Sequence, residues 1–335
     1  MSKAIGIVGA GGWGIALAKV LSEKGEAITL WCHGAENYRE LEEKRESATY
    51  LPGITLASTV RLTRSLDTAV ADKSLIICAV PSHAVREVMV NAAAHVAPEA
   101  MVICGTKGLE EETLKTMSEV LIDVFGAARK SRQAILSGPT FAIEVARGLP
   151  AAVTIAAHRD DVAAELQETL STQNFRVYSS RDVIGVQMGG VIKNVVAIAA
   201  GISDGLGLGG NARAALITRG LAEITRLAVR MGANPMTLSG LPGLGDLVLT
   251  CAGDLSRNRQ VGLQIAQGKS LEKIALRTRM VAEGVRSARS VYLLARRLDV
   301  EMPIVEQMYR VLYEGKKPSE AVRDLMQRSL KAEMS

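Results

Sequence analysis

Aromatic residues are scarce in this 335-residue sequence, at 3% of the chain, and cysteine occurs only four times. So few aromatic side chains cannot supply the stacking platforms with which proteins bind single-stranded nucleic acids. Cys32, Cys78, Cys104 and Cys251 are widely spaced and form no C-x-x-C pair, so neither a zinc site nor a disulfide framework is expected. No long apolar segment follows a basic stretch near Met1, and we expect a cytoplasmic, reducing location.

Charge is moderate and mixed in sign. Charged residues make up 22% of the chain, and the net charge is +5 with acidic and basic residues interspersed. This mixture argues against a nucleic-acid partner, whereas a phosphorylated metabolite would account for the positive balance. Hydrophobic residues reach 48%, and 31 glycines stand against 9 prolines. Such a composition is typical of α/β proteins, and the length predicts two domains at roughly 150 residues each.

Short β-branched runs alternate with helical patterns in the first half, which is typical of βαβ units around a parallel sheet. We therefore predict an α/β fold with an N-terminal Rossmann-like, doubly wound, mainly parallel sheet in residues 1–181. Strands are predicted over 4–9, 27–32, 74–80, 101–104, 134–137 and 151–157. Helices between them are predicted over 13–24, 82–96 and 112–125.

After Asp182 helical periodicity takes over, and we predict an all-α C-terminal domain for substrate binding and catalysis in residues 182–335. Its helices are predicted over 183–201, 213–231, 257–267, 285–298, 304–313 and 319–330. The first is long enough to cross a membrane, but Lys193 at its centre would cost about 2.5–3.5 kcal/mol on insertion scales. We therefore predict a buried core helix and no membrane span, with ligands bound in a cleft between the domains.

The segment G-A-G-G-W-G at 9–14 follows a predicted strand and opens a predicted helix, which is the context of a dinucleotide-binding turn. Gly9 permits the tight turn, Gly11 lets the backbone approach a pyrophosphate, and Gly14 lets the helix pack close to the sheet. The helix N-terminus would then carry the pyrophosphate.

The second strand ends without the carboxylate that usually binds the ribose of NAD. His33, Arg39, Lys44 and Arg45 follow instead, so we expect NADP to be accepted as well as NAD, with the preference between them left open. The alternative is that His33 is only a surface residue at the end of a strand.

Lys193 is the strongest candidate for a proton donor. All four histidines precede residue 182, so a donor in the helical half has to be another residue type. Lys193 is the only charged residue between Asp182 and Asp204, and burial lowers the pKa of a lysine toward working pH. Gly189 and Gly190, one turn earlier, are expected to leave room for a ligand. The alternatives are a lysine that extends from a core helix to solvent or one held in a buried ion pair.

Two further clusters carry polar groups suited to an anionic ligand. Ser256 can cap a helix whose first turn adds Arg257 and Asn258, and these groups together would seat a phosphate. Asp246 follows a glycine-rich loop and could orient Lys193. Near the carboxyl ends of predicted strands, where open α/β sheets bind ligands, lie Lys107 and Thr140.

Several of these blocks, in this order, resemble the bacterial-type NAD(P)-dependent glycerol-3-phosphate dehydrogenase family over almost the whole chain. The blocks are G-A-G-G-W-G at 9–14, G-T-K-G at 105–108, S-G-P-T-F-A at 137–142, K-N at 193–194, N-A-R-A-A-L at 211–216, G-L-P-G-L-G-D at 240–246, S-R-N at 256–258 and A-E-G-V at 282–285. The resemblance implies reversible reduction of dihydroxyacetone phosphate to sn-glycerol 3-phosphate for glycerophospholipid synthesis, by a cytoplasmic homodimer.

The resemblance also implies roles for residues at matching positions. Lys193 corresponds to the proton donor and acceptor. Substrate contacts correspond to Lys107, Gly138, Thr140, Lys193, Asp246, Ser256, Arg257 and Asn258. Cofactor contacts correspond to Gly9, Gly11, Gly12, Trp13, Gly14, His33, Lys107, Ala142, Arg257, Val281 and Glu283, and no metal is implied. The chain departs from the family's usual residues at Gly12, Ile15 and His33, where serine, threonine and arginine are common.

Two other functions fit parts of the pattern. A 3-hydroxyacid dehydrogenase would share the two-domain plan but bind a carboxylate, and competitive inhibition by phosphate or glycerol phosphate would separate the two. A non-catalytic NAD(P)-sensing regulator would need basic residues clustered on one face, which the mixed charges do not provide.

Overall fold

The computed structural model describes residues 2–277, 283–330 and 332–333. Its strands are β1 (Ala4–Val8), β2 (Ala27–Trp31), β3 (Arg61–Thr63), β4 (Leu75–Cys78), β5 (Met101–Cys104), β6 (Gln133–Ser137), β7 (Ala151–Ala157) and β8 (Phe175–Ser180). They form one sheet in the order β3-β2-β1-β4-β5-β6-β7-β8. Neighbouring strands are parallel except β6 and β7, which are antiparallel. The predicted mainly parallel sheet is confirmed.

Helices cover both faces of this sheet. They are α1 (Gly12–Glu23), α2 (Ala35–Lys44), α3 (Leu66–Val70), α4 (Val85–Ala93), α5 (Met117–Phe125), α6 (Ala142–Ala146) and α7 (Asp160–Leu170). Ile5 and Ile7 of β1 belong to one apolar cluster, while Val8 belongs to a second. Because side chains alternate along a strand, the two clusters lie on opposite faces, as a doubly wound fold requires.

Both strands that the sequence pattern did not predict, β3 and β8, lie at the edges of the sheet. β3 has only three residues, and β8 alternates buried side chains with exposed ones such as Arg176 and Tyr178. Edge strands are often short or carry polar residues because one side faces solvent. They therefore lack the continuous apolar runs by which the central strands were recognised.

Two predicted helices of the first half begin later than expected. The segment predicted as a helix from residue 82 starts as a 3₁₀ turn, Ser82–Ala84, and becomes α-helical only at Val85. The helix predicted from residue 112 starts at Met117, because Thr116 and Glu119 form a reciprocal capping box there.

The described residues of the second half form helices and no strand, as predicted. Its helices are α8 (Val183–Gly205), α9 (Gly209–Arg230), α10 (Pro235–Leu238), α11 (Asp246–Ala252), α12 (Arg257–Ala266), α13 (Leu271–Arg277), α14 (Glu283–Arg297), α15 (Pro303–Tyr313) and α16 (Pro318–Met326). A π-helical turn, Leu241–Gly245, precedes α11. The short helices α10, α11 and α13 were not predicted, because four to seven residues are too few to show a helical period.

Helix α8 lies at the centre of the second half, and most of the other helices there pack around it. It is long and apolar enough to span a membrane, yet 94% of its most apolar window is buried inside the protein, which confirms the predicted core helix. Helix α12 crosses it at very short range, since a Cβ on Gly201 would lie 2.0 Å from the carbonyl oxygen of Arg259. A Cβ on Gly262 would lie 2.1 Å from the carbonyl oxygen of Ile198. This close packing fixes the backbone that carries Lys193.

The four cysteines are free thiols within the core. Burial raises the pKa of Cys32 and of Cys251 to about 12, so both thiols stay protonated at neutral pH and pack as small apolar groups. Within the described ranges, no group of three His, Cys, Asp or Glu residues is arranged to hold a metal ion.

A buried carboxylate on another helix caps the N-terminus of α15. Glu223 of α9 is 1% exposed and accepts hydrogen bonds from the backbone amides of Ile304 (2.7 Å) and Val305 (3.2 Å). Desolvation by burial raises its pKa to about 7, although the two amides act in the opposite direction. Because this value lies above the ordinary 4.5, the group's contribution to stability is complete below about pH 4.5 and is lost as the pH rises through about 7.

We therefore predict that Glu223→Gln removes a pH dependence of stability. The difference in unfolding free energy between wild type and variant should change by roughly 2–3 kcal/mol from pH 5 to pH 8.5, with the wild type losing stability as the pH rises. Urea titrations across this range measure it. Glu306→Gln is the control, since Glu306 lies in the first turn of the same helix but is half-exposed and paired with Arg310. Parallel curves for wild type and Glu223→Gln would contradict the assignment.

Candidate active site

The glycine turn between β1 and α1 has the geometry of a dinucleotide-binding turn. Gly9 has φ +119°, and a Cβ there would lie 2.9 Å from the backbone of Ala79. A Cβ on Gly14 would lie 1.8 Å from the carbonyl oxygen of Gly9, so α1 packs directly against the turn. By contrast, a Cβ on Gly11 would meet no atom within 4 Å. The turn is thus closed on the protein side and open where a pyrophosphate would approach, which fits the expected cofactor.

Two of the other predicted cofactor residues, Trp13 and Ala142, lie in or beside this turn. Trp13 packs against Gly105, which directly follows β5. A Cβ on Gly105 would lie only 2.9 Å from the indole nitrogen of Trp13. Ala142 begins α6 and lies 3.7 Å from the Cβ position of Gly12. His33 is exposed beyond the end of β2, and its ring packs 5.4 Å from that of Trp31. Val281 lies outside the described residues.

Lys193 projects from α8 into a buried polar cluster. It is 6% exposed and donates to the fully buried carboxylate of Asp246 and to the hydroxyl of Thr250 at 2.8 Å. Asp246 and Thr250 lie four residues apart on α11, so both face the same side of the helix. Sequence reasoning missed Thr250, although this spacing from Asp246 was the available clue. The lysine is held in an ion pair, which was one of the alternatives left open.

A second ammonium reaches the same carboxylate from the first half of the chain. Lys107 donates from Nζ to Oδ2 of Asp246 at 2.5 Å and to the carbonyl oxygen of Gly138 at 3.2 Å. Thr140 donates to that same carbonyl at 3.3 Å. Five of the predicted substrate residues are therefore connected by these bonds: Lys107, Gly138, Thr140, Lys193 and Asp246.

The charges of this cluster do not balance. One carboxylate faces two ammonium groups, so the pair Lys107 and Lys193 leaves a surplus positive charge in a buried place. Burial lowers the pKa of Lys193 to about 8, and the charge of Lys107 acts in the same direction, while Asp246 opposes both. The site is therefore suited to an anionic ligand and to proton transfer near neutral pH.

The residues predicted to seat a phosphate lie at the start of α12. Ser256 caps the helix by accepting from the amide of Arg259 at 3.2 Å, as expected. Arg257 is the first residue of the helix and its side chain is exposed. Asn258 is buried, and its amide group donates to Oδ1 of Asn194 (2.9 Å) and accepts from the backbone amide of Gly284 (3.0 Å).

These groups are joined in a closed circuit of contacts that spans both halves of the chain. From Asn258 the circuit passes through Gly284 to its neighbour Glu283, which accepts from the hydroxyl of Ser82 at 2.8 Å. Ser82 packs against Gly108, the residue after Lys107, since a Cβ on Gly108 would lie 2.5 Å from the Cβ of Ser82. Lys107, Asp246, Lys193 and Asn194 close the circuit. Ser82 was not a predicted site residue, because a serine at the start of a helix usually indicates a cap.

The expectation that Gly189 and Gly190 leave room for a ligand is wrong. A Cβ on Gly189 would lie 2.2 Å from the carbonyl oxygen of Pro242, and one on Gly190 would lie 2.8 Å from the hydroxyl of Ser137 and 3.3 Å from the Lys107 side chain. The space beside these glycines is instead filled by other parts of the protein. The π-helical turn that precedes Asp246 packs against Gly189, and the aliphatic stem of Lys107 packs against Gly190.

Comparison with known proteins places this arrangement in one family. The profile of the NAD-dependent glycerol-3-phosphate dehydrogenase N-terminus matches residues 4–163, and that of the C-terminus of the same family matches residues 182–323. Among curated relatives, glycerol-3-phosphate dehydrogenase [NAD(P)+] of Citrifermentans bemidjiense is 52% identical over 333 residues and covers 99% of both chains. That of Anaeromyxobacter dehalogenans is 53% identical and covers 98% of this chain and 99% of its own.

A solved structure is similar over the same extent. The crystal structure of glycerol-3-phosphate dehydrogenase from Coxiella burnetii superposes with a TM-score of 0.93 at 39% sequence identity, covering 98% of this chain and 99% of its own. The similarity therefore includes both the sheet and the helical half.

We predict that alanine at the two glycines of α8 has unequal effects on folding. Gly189→Ala should lower the free energy of unfolding by about 1–3 kcal/mol, because its Cβ meets fixed backbone, whereas Gly190→Ala should cost less because side chains can move aside. Urea denaturation of both variants measures the difference. Equal losses, or a larger loss for Gly190→Ala, would show that the close approach to Pro242 is unimportant.

Proposed function

The chain belongs to the NAD-dependent glycerol-3-phosphate dehydrogenase family, and we propose, on that premise, how its buried lysine carries the family's reaction. As a member it is an NAD(P)-dependent oxidoreductase that acts on the CH–OH group of glycerol 3-phosphate. It interconverts dihydroxyacetone phosphate and sn-glycerol 3-phosphate, the precursor of glycerophospholipids. The observation that carries the mechanism is the bond between Lys193 and the fully buried Asp246, beside the second ammonium of Lys107.

In this proposal the residues of the cluster bind and orient dihydroxyacetone phosphate. Arg257 and the N-terminus of α12 hold its phosphate, and the surplus charge of Lys107 and Lys193 attracts the anion. Gly138, Thr140, Asp246, Ser256 and Asn258 complete the substrate contacts. The cofactor would be held by the turn at 9–14, His33, Ala142 and Glu283, with Lys107 and Arg257 near both ligands.

Lys193 then supplies the proton that the reduction requires. Bound NADPH or NADH supplies the hydride that the C2 carbonyl carbon accepts. Lys193 donates a proton from Nζ to the carbonyl oxygen, so that C=O becomes CH–OH, and in the reverse direction the neutral amine accepts that proton. Asp246 and Thr250 keep the amine aimed at one position. With a pKa of about 8, both protonation states are accessible near neutral pH.

An absorbance assay with dihydroxyacetone phosphate and NADPH or NADH tests this role. Lys193→Ala should lower kcat by about 10²–10⁴, the usual share of general acid catalysis, with cofactor affinity little changed. Lys115→Ala is the control, because this lysine forms an exposed ion pair with Asp123. A Lys193→Ala enzyme with full turnover would remove Lys193 from the mechanism.

We also propose a homodimer in the cytoplasm, with each chain divided into a cofactor-binding unit, 1–181, and a substrate-binding and catalytic unit, 182–335. The division is supported by the end of β8 at Ser180 and by Asp182, whose carboxylate caps α8 by accepting from the amide of Gly185 at 2.8 Å. The dimer is supported by the resemblance to the family. Light scattering of the purified protein should report twice the chain mass, and a monomer at micromolar concentration would contradict the proposal.

A further inference from the structure

The carboxyl ends of β2 and β3 lie side by side at the edge of the cofactor half. Trp31 is the register partner of Thr63, and the ladder continues one step further because the amide of Cys32 donates to the carbonyl oxygen of Thr63 at 2.9 Å. Arg64, the next residue, therefore lies beside Cys32 and close to His33. In dinucleotide-binding folds the adenosine ribose meets the residues that follow the second strand.

The backbone of Arg64 is held by hydrogen bonds of neighbouring residues, while the residue itself is exposed. The indole nitrogen of Trp31 donates to the carbonyl oxygen of Arg64 at 3.1 Å, and the hydroxyl of Thr63 accepts from the amide of Ser65 at 3.0 Å. The side chain of Arg64 is exposed. The same Trp31 packs against the ring of His33, so one residue contacts both the imidazole of His33 and the backbone of Arg64.

The charge of Arg64 acts on the same edge of the protein as α2. The pKa of Tyr38 on α2 is raised, chiefly by its hydrogen bond to Glu42, and the positive charge of Arg64 opposes that rise. The guanidinium is thus within electrostatic reach of the segment that follows β2, which has no carboxylate between Trp31 and Glu36 to repel an added phosphate.

Arg45, which the sequence reasoning counted among the cations near this position, is turned away from it. Its guanidinium donates to the carbonyl oxygens of Ala57 and Val60, at 2.5 Å and 2.7 Å, and it fastens the loop before β3. Arg64 is a further candidate for binding a phosphate at this edge. It was not identified from the sequence because it follows β3, and β3 was not predicted.

We propose that Arg64 is the specificity-determining residue that binds the 2′-phosphate of NADP, together with His33. A guanidinium matches the oxygens of a phosphate with two parallel hydrogen bonds, which an imidazole cannot provide. This inference rests on the proposed use of NAD(P), and it adds a guanidinium to the imidazole of His33 at this edge.

Arg64→Gln tests the proposal, with Arg61→Gln as the matched control. Arg61 is an exposed arginine at the start of the same three-residue strand, away from its carboxyl end. Binding of adenosine 2′,5′-bisphosphate and of AMP is measured by calorimetry, which requires no turnover. The KM ratio of NADPH to NADH is measured in the reductase assay.

For Arg64→Gln we expect affinity for adenosine 2′,5′-bisphosphate relative to AMP to fall by about tenfold or more, as expected for a lost charged hydrogen bond. The NADPH to NADH ratio of KM should rise by a similar factor. Arg61→Gln should leave both ratios unchanged, and Arg64→Lys should retain part of the preference. The proposal is overturned if Arg64→Gln weakens both nucleotides equally or neither, or if the two arginine variants behave alike. A wild type that binds these nucleotides but reduces no dihydroxyacetone phosphate would instead contradict the proposed function.

Discussion

The site depends on one buried carboxylate that holds two ammonium groups from different parts of the chain. Asp246 is fully buried, and its two oxygens accept from Lys193 of α8 and from Lys107, which follows β5. Burying three charged groups is costly unless they remain paired. Because Lys107 belongs to the sheet half and Asp246 to the helical half, keeping the pairs intact fixes the position of one half against the other. Burial lowers the pKa of Lys193, the charge of Lys107 acts in the same direction, and the surplus positive charge suits the site to an anionic ligand.

The helical half is shaped so that this pairing can occur. Glycines on α8 let α12 and the turn before α11 approach the helix backbone, which brings Thr250 and Asp246 within reach of Lys193. Gly190 leaves space for the stem of Lys107. The chemistry of the lysine therefore follows from backbone packing as much as from the charged residues themselves.

The elements that could be predicted from the sequence were those with strong, repeated patterns. The central strands and α8 were recognised because their apolar runs are continuous, and the turn at 9–14 because three glycines occupy fixed spacings. The edge strands β3 and β8 were missed because solvent exposure replaces apolar residues with polar ones. Arg64 was missed for the same reason, since its position has meaning only once β3 is placed beside β2.

Most residues of the candidate site were predictable, but most of their arrangement was not. Lys193, Lys107 and Asp246 were each identified and Asp246 was expected to orient Lys193, but only the fold shows that Lys107 and Thr250 join the same cluster. The glycines of α8 illustrate the limit most clearly. Sequence shows that a side chain is absent at Gly189 and Gly190, but only the structure shows that protein atoms occupy the space.

Direct titration of the Lys193 amine is the measurement closest to the central claim. Side-chain nitrogen resonances of labelled lysine can be followed by NMR from pH 6 to pH 11, with a Lys193→Met variant to assign the signal. The account predicts a midpoint near 8 for Lys193, because burial and the neighbouring ammonium outweigh Asp246. A midpoint near the ordinary 10.5 would contradict it, since the amine would then behave as a solvated lysine.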